Sequence, residues 1–167
     1  FVLCSRSKFF TPRFLAQIVQ FRLERYSRTV NFTCFPITLH LQISMKKILV
    51  IEDDESIRRS VGMMLRISGF EAFYAENGSV GLQMATQSMP DVIICDIAMP
   101  VMDGYGFIQE LRKNSVTAKI PVVFLTAKAS EEDIAKGKAL GANAYLTKPI
   151  WPADLLKIVQ EQLGQSA

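Results

Sequence analysis

From Met45 onward the sequence alternates strand-length apolar runs with helix-length segments, and no other feature restricts the fold so tightly. The runs are Ile48–Ile51, Phe70–Tyr74, Val92–Cys95, Val122–Leu125 and Ala144–Leu146. Three are continuously apolar, as parallel strands covered on both faces require. Phe70-Glu71-Ala72-Phe73-Tyr74 is mixed and suits a sheet edge. Between the runs, Ile57, Val61, Met64 and Leu65 follow the spacing of one buried helical stripe, and Gly69 supplies its stop. Segments 78–87 and 104–113 read as weaker helices, the second with Phe107, Ile108 and Leu111 turned inward. Segment 131–140 is the least amphipathic, with Ile134, Ala135 and Ala139 expected to face in and Gly137 interrupting. The last helix follows Trp151, has Pro152 and Asp154 in its first turn, and presents Leu155, Leu156, Val159 and Leu163 to the core. Five such units predict an α/β fold: a doubly wound five-stranded parallel sheet with right-handed crossovers and helices on both faces.

In a doubly wound sheet, ligands bind at the carboxyl ends of the strands, where the strand order switches. The first run ends in Glu52-Asp53-Asp54-Glu55, the third in Asp96, the fourth in Thr126, and the fifth in Thr147-Lys148-Pro149. The second ends in Ala75-Glu76, which offers nothing distinctive. A flavodoxin-like order 2-1-3-4-5 would gather an acid pair, a third acid, a hydroxyl and a lysine in one shallow cleft. Each alone has a plainer reading: Asp54 and Glu55 suit capping of the next helix, and a lysine before proline suits a solvated loop. Carboxylates gathered at one edge repel each other, however, and a hard divalent cation relieves that repulsion. Mg²⁺ takes oxygens from one or two carboxylates and leaves places for phosphate oxygens, so the residues point to a site for Mg²⁺ and a phosphoryl group.

Residues 1–44 differ in kind. They hold seven of the eleven Phe and six Lys/Arg against one acid, Glu24, a balance of +5; residues 45–167 hold thirteen Lys/Arg against fifteen acids, a balance of −2. The overall +3 therefore gives no reason to expect nucleic-acid binding by the folded part. Three readings fit 1–44: sequence upstream of a start at Met45, a basic and acid-poor targeting segment, or a genuine extension. As an extension, 13–22 could form a basic amphipathic helix and 37–43 an alternating strand. His40, the single histidine, reads as a bystander. The expected division is a basic Phe-rich extension over 1–44, outside the fold, and one domain over 45–167. Cys4, Cys34 and Cys95 have no metal-ligand spacing, and Cys95 lies inside an apolar run, which fits a reducing, cytoplasmic setting. No run reaches the length of a membrane-spanning helix.

The motifs Ile48-Leu49-Val50-Ile51-Glu52-Asp53-Asp54, Asp96-Ile97-Ala98-Met99-Pro100-Val101-Met102-Asp103-Gly104, Phe124-Leu125-Thr126-Ala127 and Ala144-Tyr145-Leu146-Thr147-Lys148-Pro149 occur in order. Together they resemble the response-regulator receiver domain of two-component signalling, of the chemotaxis-type single-domain kind, over essentially all of 45–165. The resemblance implies that Asp96 accepts a phosphoryl group from a phosphohistidine. It implies Mg²⁺ held by Asp53 directly, by Glu52 mainly through water, by Asp96, and by the backbone carbonyl of Ala98. Lys148 would pair with the phosphoryl group, with a cis peptide between Lys148 and Pro149. Thr126 would donate a hydrogen bond to the phosphoryl group, and Tyr145 would turn inward as Thr126 moves. Tyr145 also has a plainer reading as a strand residue with its hydroxyl at the surface. The positions of Ala98 and Lys128 modulate phosphoryl lifetime in that family.

The function expected on this basis is phosphorelay signalling, with a sensor histidine kinase or histidine phosphotransfer protein as donor. Its readout would be the face of helix 4, strand 5 and helix 5, where Trp151 is either a partner contact or a packing residue. No output domain is expected after the last helix, so the target would be a protein and the chain a monomer or a phosphorylation-dependent dimer. It would be no enzyme beyond self-catalysed phosphoryl uptake and autodephosphorylation. An unphosphorylated scaffold with the same fold is the alternative. An aspartyl phosphatase is a poorer fit, since such enzymes carry two aspartates two apart and Asp96 is followed by Ile97-Ala98.

Overall fold

The computed structural model describes residues 45–127 and 130–165. The helix expected over 13–22, the strand over 37–43, His40 and Lys128 lie outside the described residues. Five strands form the sheet: β1 (Lys47–Ile51), β2 (Glu71–Ala75), β3 (Val92–Asp96), β4 (Val122–Thr126) and β5 (Ala144–Thr147). All neighbours pair in parallel, in the order β2-β1-β3-β4-β5. This is the expected doubly wound, flavodoxin-like sheet, with the mixed strand β2 at an edge. Three strands, β3, β4 and β5, run one residue past their apolar run, β1 begins one residue before its own, and β2 is displaced by one. Asp96, Thr126 and Thr147 are consequently the terminal residues of their strands.

Successive strand side chains point to opposite faces. One face therefore collects Ile48, Val50, Val92, Ile94, Val123 and Leu125, and the other Leu49, Ile51, Ile93, Cys95, Val122 and Phe124. Both sets are buried because helices cover both sides. On the first face, α1 (Glu55–Ile67) contributes Val61 and Leu65, and α5 (Pro152–Gln165) contributes Leu155 and Val159. On the second, α2 (Gly78–Ser88) brings Ala85, and α3 (Gly104–Lys113) brings Phe107, Ile108 and Leu111. Each fully buried Leu, Ile or Phe contributes about 1.5–3 kcal/mol, so the central strands are fixed from both sides.

The expected stripes hold for α1 and α3. In α5 the stripe differs: Leu156 is only half-buried, while Gln162 is 3% exposed and takes a core-facing position. The largest departure is α4 (Glu131–Ala139). Gly137 is its buried residue, Ile134 is half-buried, and Ala135 and Ala139 are exposed. Gly137 does not merely interrupt this helix. A Cβ there would run into the Tyr145 hydroxyl, so the bare backbone lets β5's tyrosine lie against α4. Trp151, at 64% exposure, does not pack into the core.

Candidate functional site

The end of β1 turns directly into α1. Asp54 caps that helix, its Oδ1 accepting from the Ser56 N–H at 2.7 Å and the Ile57 N–H at 3.0 Å. Asp54 therefore follows the plainer reading, and the two acids before it are left to face the strand ends. Glu52 is buried and Asp53 exposed. Asp96, at the end of the adjacent β3, is 4% exposed. One oxygen from each of Glu52, Asp53 and Asp96 lies within 4.8 Å of the others.

The loop after Asp96 is drawn close by its own sequence. Asp103 caps α3 by accepting from the Gly106 N–H at 2.7 Å, and the Gly104 N–H donates to the Ile97 carbonyl at 2.9 Å. A Cβ at Gly104 would stand 2.5 Å from the Asp96 carbonyl oxygen, so this close approach needs glycine.

Lys148 follows β5, its backbone N–H donating to the Thr126 carbonyl at 2.8 Å. The bond from Lys148 to Pro149 is cis. The ammonium donates to Glu52 Oε1 at 3.1 Å and sits 2.8 Å from Glu52 Oε2 and 3.2 Å from Asp96 Oδ1. Burial alone would lower the Lys148 pKa, but the Glu52 hydrogen bond and the fields of Asp96 and Glu52 raise it above the ordinary lysine value. Glu52 is pushed up chiefly by burial, with repulsion from Asp96 adding to it and Lys148 opposing it. Two buried carboxylates thus share one ammonium, with Asp53 as a third acid beside them. Glu52 Oε2 accepts no hydrogen bond of good geometry despite its short distance to Lys148. An acidic cluster of hard oxygen donors with a buried, incompletely satisfied lone pair suits Mg²⁺, which prefers carboxylate oxygens and retains waters.

Beside the acids lies a cleft of about 220 Å³ lined by Asp96, Ile97, Ala98, Tyr105, Thr126, Ala127, Asp133 and Lys148. Asp96, Ala98, Thr126 and Lys148 are brought together there as expected, Thr126 buried and Ala98 exposed. Tyr145 stands apart from this cleft. Its hydroxyl donates to the α4 carbonyls of Asp133 at 3.2 Å and Ile134 at 3.3 Å, and its ring lies 5.7 Å from that of Phe124. The tyrosine is thus half-buried against α4 and not a surface strand residue.

Tyr105 and Asp133 are two cleft residues that the sequence did not single out. Tyr105 carries only the helical pattern of α3, and Asp133 resembles any acid in a first helical turn. Their membership depends on the approach of α3 and α4, which no local motif encodes. The Tyr105 hydroxyl donates to Asp133 Oδ1 at 3.3 Å, and the Lys136 ammonium lies 3.9 Å from the Tyr105 ring centroid.

Comparison with known proteins agrees with this geometry. Residues 48–160 match the family model described as the response regulator receiver domain. Protein PilH of Pseudomonas aeruginosa is 38% identical over 120 residues, spanning 72% of this chain and 99% of PilH. The probable transcriptional regulator ycf29 of Pyropia yezoensis is 38% identical over 119 residues, covering 71% of this chain but 54% of that protein. The chain thus spans about half the length of several curated relatives. Among solved structures, the Vibrio cholerae chemotaxis protein CheY4 aligns with a TM-score of 0.69 at 39% identity, over 71% of this chain and 98% of CheY4. The receiver domain of sensor histidine kinase PA1611 from Pseudomonas aeruginosa, solved with magnesium in its active-site cleft, aligns with a TM-score of 0.68 at 30% identity, over 72% and 99% of the two chains. With an acidic cluster, a neighbouring lysine and this sheet order all in place, the chain belongs to the response-regulator receiver family of two-component signalling.

Proposed function

We propose that this receiver is a phosphorylation-switched signalling module in which Asp96 accepts a phosphoryl group from a sensor histidine kinase or a histidine phosphotransfer protein. The observation that carries this reading is the meeting of Glu52, Asp53 and Asp96 oxygens within 4.8 Å, with the Lys148 ammonium 3.2 Å from Asp96. An Asp96 carboxylate oxygen forms the new P–O bond while the donor's P–N bond breaks, and the imidazole nitrogen leaves with the electron pair. Positioning and charge neutralisation dominate such a transfer. Glu52, Asp53, Asp96 and the Ala98 carbonyl would hold Mg²⁺, which supplies neutralisation of the developing phosphoryl charge. The magnesium in the cleft of the PA1611 receiver domain supports that assignment.

Lys148, now shared between Glu52 and Asp96, would turn to the phosphoryl oxygens, and the Thr126 hydroxyl would donate to them. A phosphoryl group adds about −1.5 to −2 charges and three strong acceptors. It can shift the balance only through contacts that differ between two conformations, and Tyr145 against α4 is the element to be shifted. The readout face is α4, β5 and α5, with exposed Trp151 as a partner contact. The protein target is engaged by a monomer or by a phosphorylation-dependent dimer. The acid-rich domain itself does not bind nucleic acid. No helix among the described residues is long and apolar enough to cross a membrane, and the buried free thiol of Cys95 supports a reducing, cytoplasmic setting. Residues 45–167 are the working unit and residues 1–44 take no part; an intact-mass measurement of the native protein tests that division.

The test of function is Mg²⁺-dependent labelling by acetyl phosphate. Label is expected on the parent protein and absent from Asp96→Asn. Label that survives this change refutes Asp96 as acceptor, and a parent protein that takes no label favours the unphosphorylated scaffold.

A further inference from the structure

The cleft beside Asp96 contains a fixed negative charge that phosphoryl transfer does not need. Asp133 reaches it from the first turn of α4, together with Thr126 and Lys148. Its carboxylate is held from two sides, by the Tyr105 hydroxyl at 3.3 Å on Oδ1 and by the Ser130 hydroxyl at 2.6 Å on Oδ2. Its backbone carbonyl accepts from Tyr145. Its field also reaches both tyrosines, whose pKa values rise first through burial and then through Asp133. One residue of α4 therefore meets α3, β5 and the acceptor's cleft. The helix that carries it buries only Gly137, so polar contacts supply much of its hold.

We propose that Asp133 opposes entry of the phosphoryl group and, by the same repulsion, converts phosphorylation into loosening of α4. The proposal rests on Asp96 being the acceptor. A group carrying about −1.5 to −2 charges must occupy a cleft that the Asp133 carboxylate already lines. Among the described residues Lys148 is the cation lining that cleft, and Ala98 offers no charge there. The repulsion is mutual: whatever Asp133 does to the phosphoryl group, the phosphoryl group does to Asp133. An anion repelled from the cleft draws on its bonds to Tyr105 and Ser130, and the carbonyl that holds Tyr145 belongs to the same residue. Coupling from acceptor to α4 thus has an electrostatic route alongside any movement of Thr126.

The test substitutes Asp133→Asn, which keeps the side-chain shape and an acceptor oxygen for Tyr105 but removes the charge. The reaction is labelling by acetyl phosphate with Mg²⁺. An Asp96 oxygen bonds to phosphorus as the donor's acyl P–O bond breaks, and acetate leaves with the electron pair. At low salt the variant should label about three- to tenfold faster than the parent, as loss of one like charge from the cleft lining implies. That ratio should fall toward one as ionic strength rises and screening takes over. Asp133→Glu should restore the slow rate, which a merely structural role would not require. In parallel, amide exchange across 131–139 should rise about threefold or more on phosphorylation of the parent and less in Asp133→Asn. Equal rates for Asp133→Asn and the parent at low salt overturn the proposal, as does a fast Asp133→Glu. A parent protein that takes no label overturns the acceptor assignment and this inference together, whereas label that stays on Asp96 with no effect of residue 133 overturns this inference alone.

Discussion

The two ends of the sheet use charge in opposite ways. At the amino ends of the strands the charges of Asp91 and Arg112 are both answered. Asp91, before β3, takes the Lys46 ammonium and the Lys47 N–H, both at 2.8 Å. Arg112, near the end of α3, donates to the Ile120 carbonyl at 2.9 Å and the Gly141 carbonyl at 2.7 Å, tying α3 to the chain on either side of α4. Asn143 Oδ1 accepts from the Val122 N–H at 3.0 Å. At the carboxyl ends, three carboxylates gather within 4.8 Å of one another, and the Lys148 ammonium pairs with two of them, Glu52 and Asp96. One end uses its polar groups to fix the fold, and the other holds an excess of like charge, which the proposed Mg²⁺ would offset. Strain concentrated at a functional site is expected where selection tolerates a stability loss for activity.

This contrast predicts opposite signs for charge removal. The largest effect should come from Arg112→Ala at the amino end. Its guanidinium is held by carbonyls, and burial lowers its pKa. Hydrogen bonds to charged groups contribute about 1.5–3 kcal/mol each, and carbonyls left without partners add a penalty. Urea unfolding should show a loss of about 3 kcal/mol while Mg²⁺-dependent labelling per folded molecule stays within about twofold. A labelling defect larger than the stability defect would show that the two ends are not independent.

At the carboxyl end the sign should reverse. Asp53 is exposed and lies among like charges. Asp53→Asn should stabilise the metal-free protein by about 1 kcal/mol, the size of one close like-charge contact in a wet environment. Mg²⁺ at a hundred times its Kd should stabilise the parent by about 2.7 kcal/mol and leave Asp53→Asn nearly unmoved. Thermal melts with and without Mg²⁺ measure both. If Asp53→Asn is less stable than the parent without metal, the acid cluster is no source of strain and the comparison fails.

The sequence made the functional end far more legible than the structural end, for a physical reason. Asp53, Asp96, Thr126 and Lys148 each lie one or two residues past the end of an apolar run, so the strand pattern locates them and the sheet order joins them. Arg112 reads only as a base in a last helical turn, because its partners are backbone carbonyls that any residues could provide. Residue types say nothing about such a bond. The α4 segment misled for a related reason. Alanines at helical spacing suggested an inward face, but packing turned on Gly137, where the absence of a side chain makes room for Tyr145. Tyr105 and Asp133 were missed likewise, since their meeting depends on how two helices approach.

The smallest predicted effect returns to the amino end and concerns pH. Burial raises the Asp91 pKa, but the Lys46 hydrogen bond and the Lys47 N–H outweigh it, and the carboxyl sits below its ordinary value. A group with a lowered folded pKa contributes stability that is present above its unfolded value of about 3.9 and is lost as pH falls through the folded value. Asp91→Asn should therefore lose about 0.5–1 kcal/mol near neutral pH, the range for a partly exposed pair with one backbone hydrogen bond. The difference from the parent should shrink below about pH 4 and vanish at lower pH. Urea midpoints at intervals between acid and neutral pH, in metal-free buffer, measure it. A difference that grows on acidification would mean the charge at Asp91 is strained, as at the opposite end, and the division of labour between the two ends would not hold.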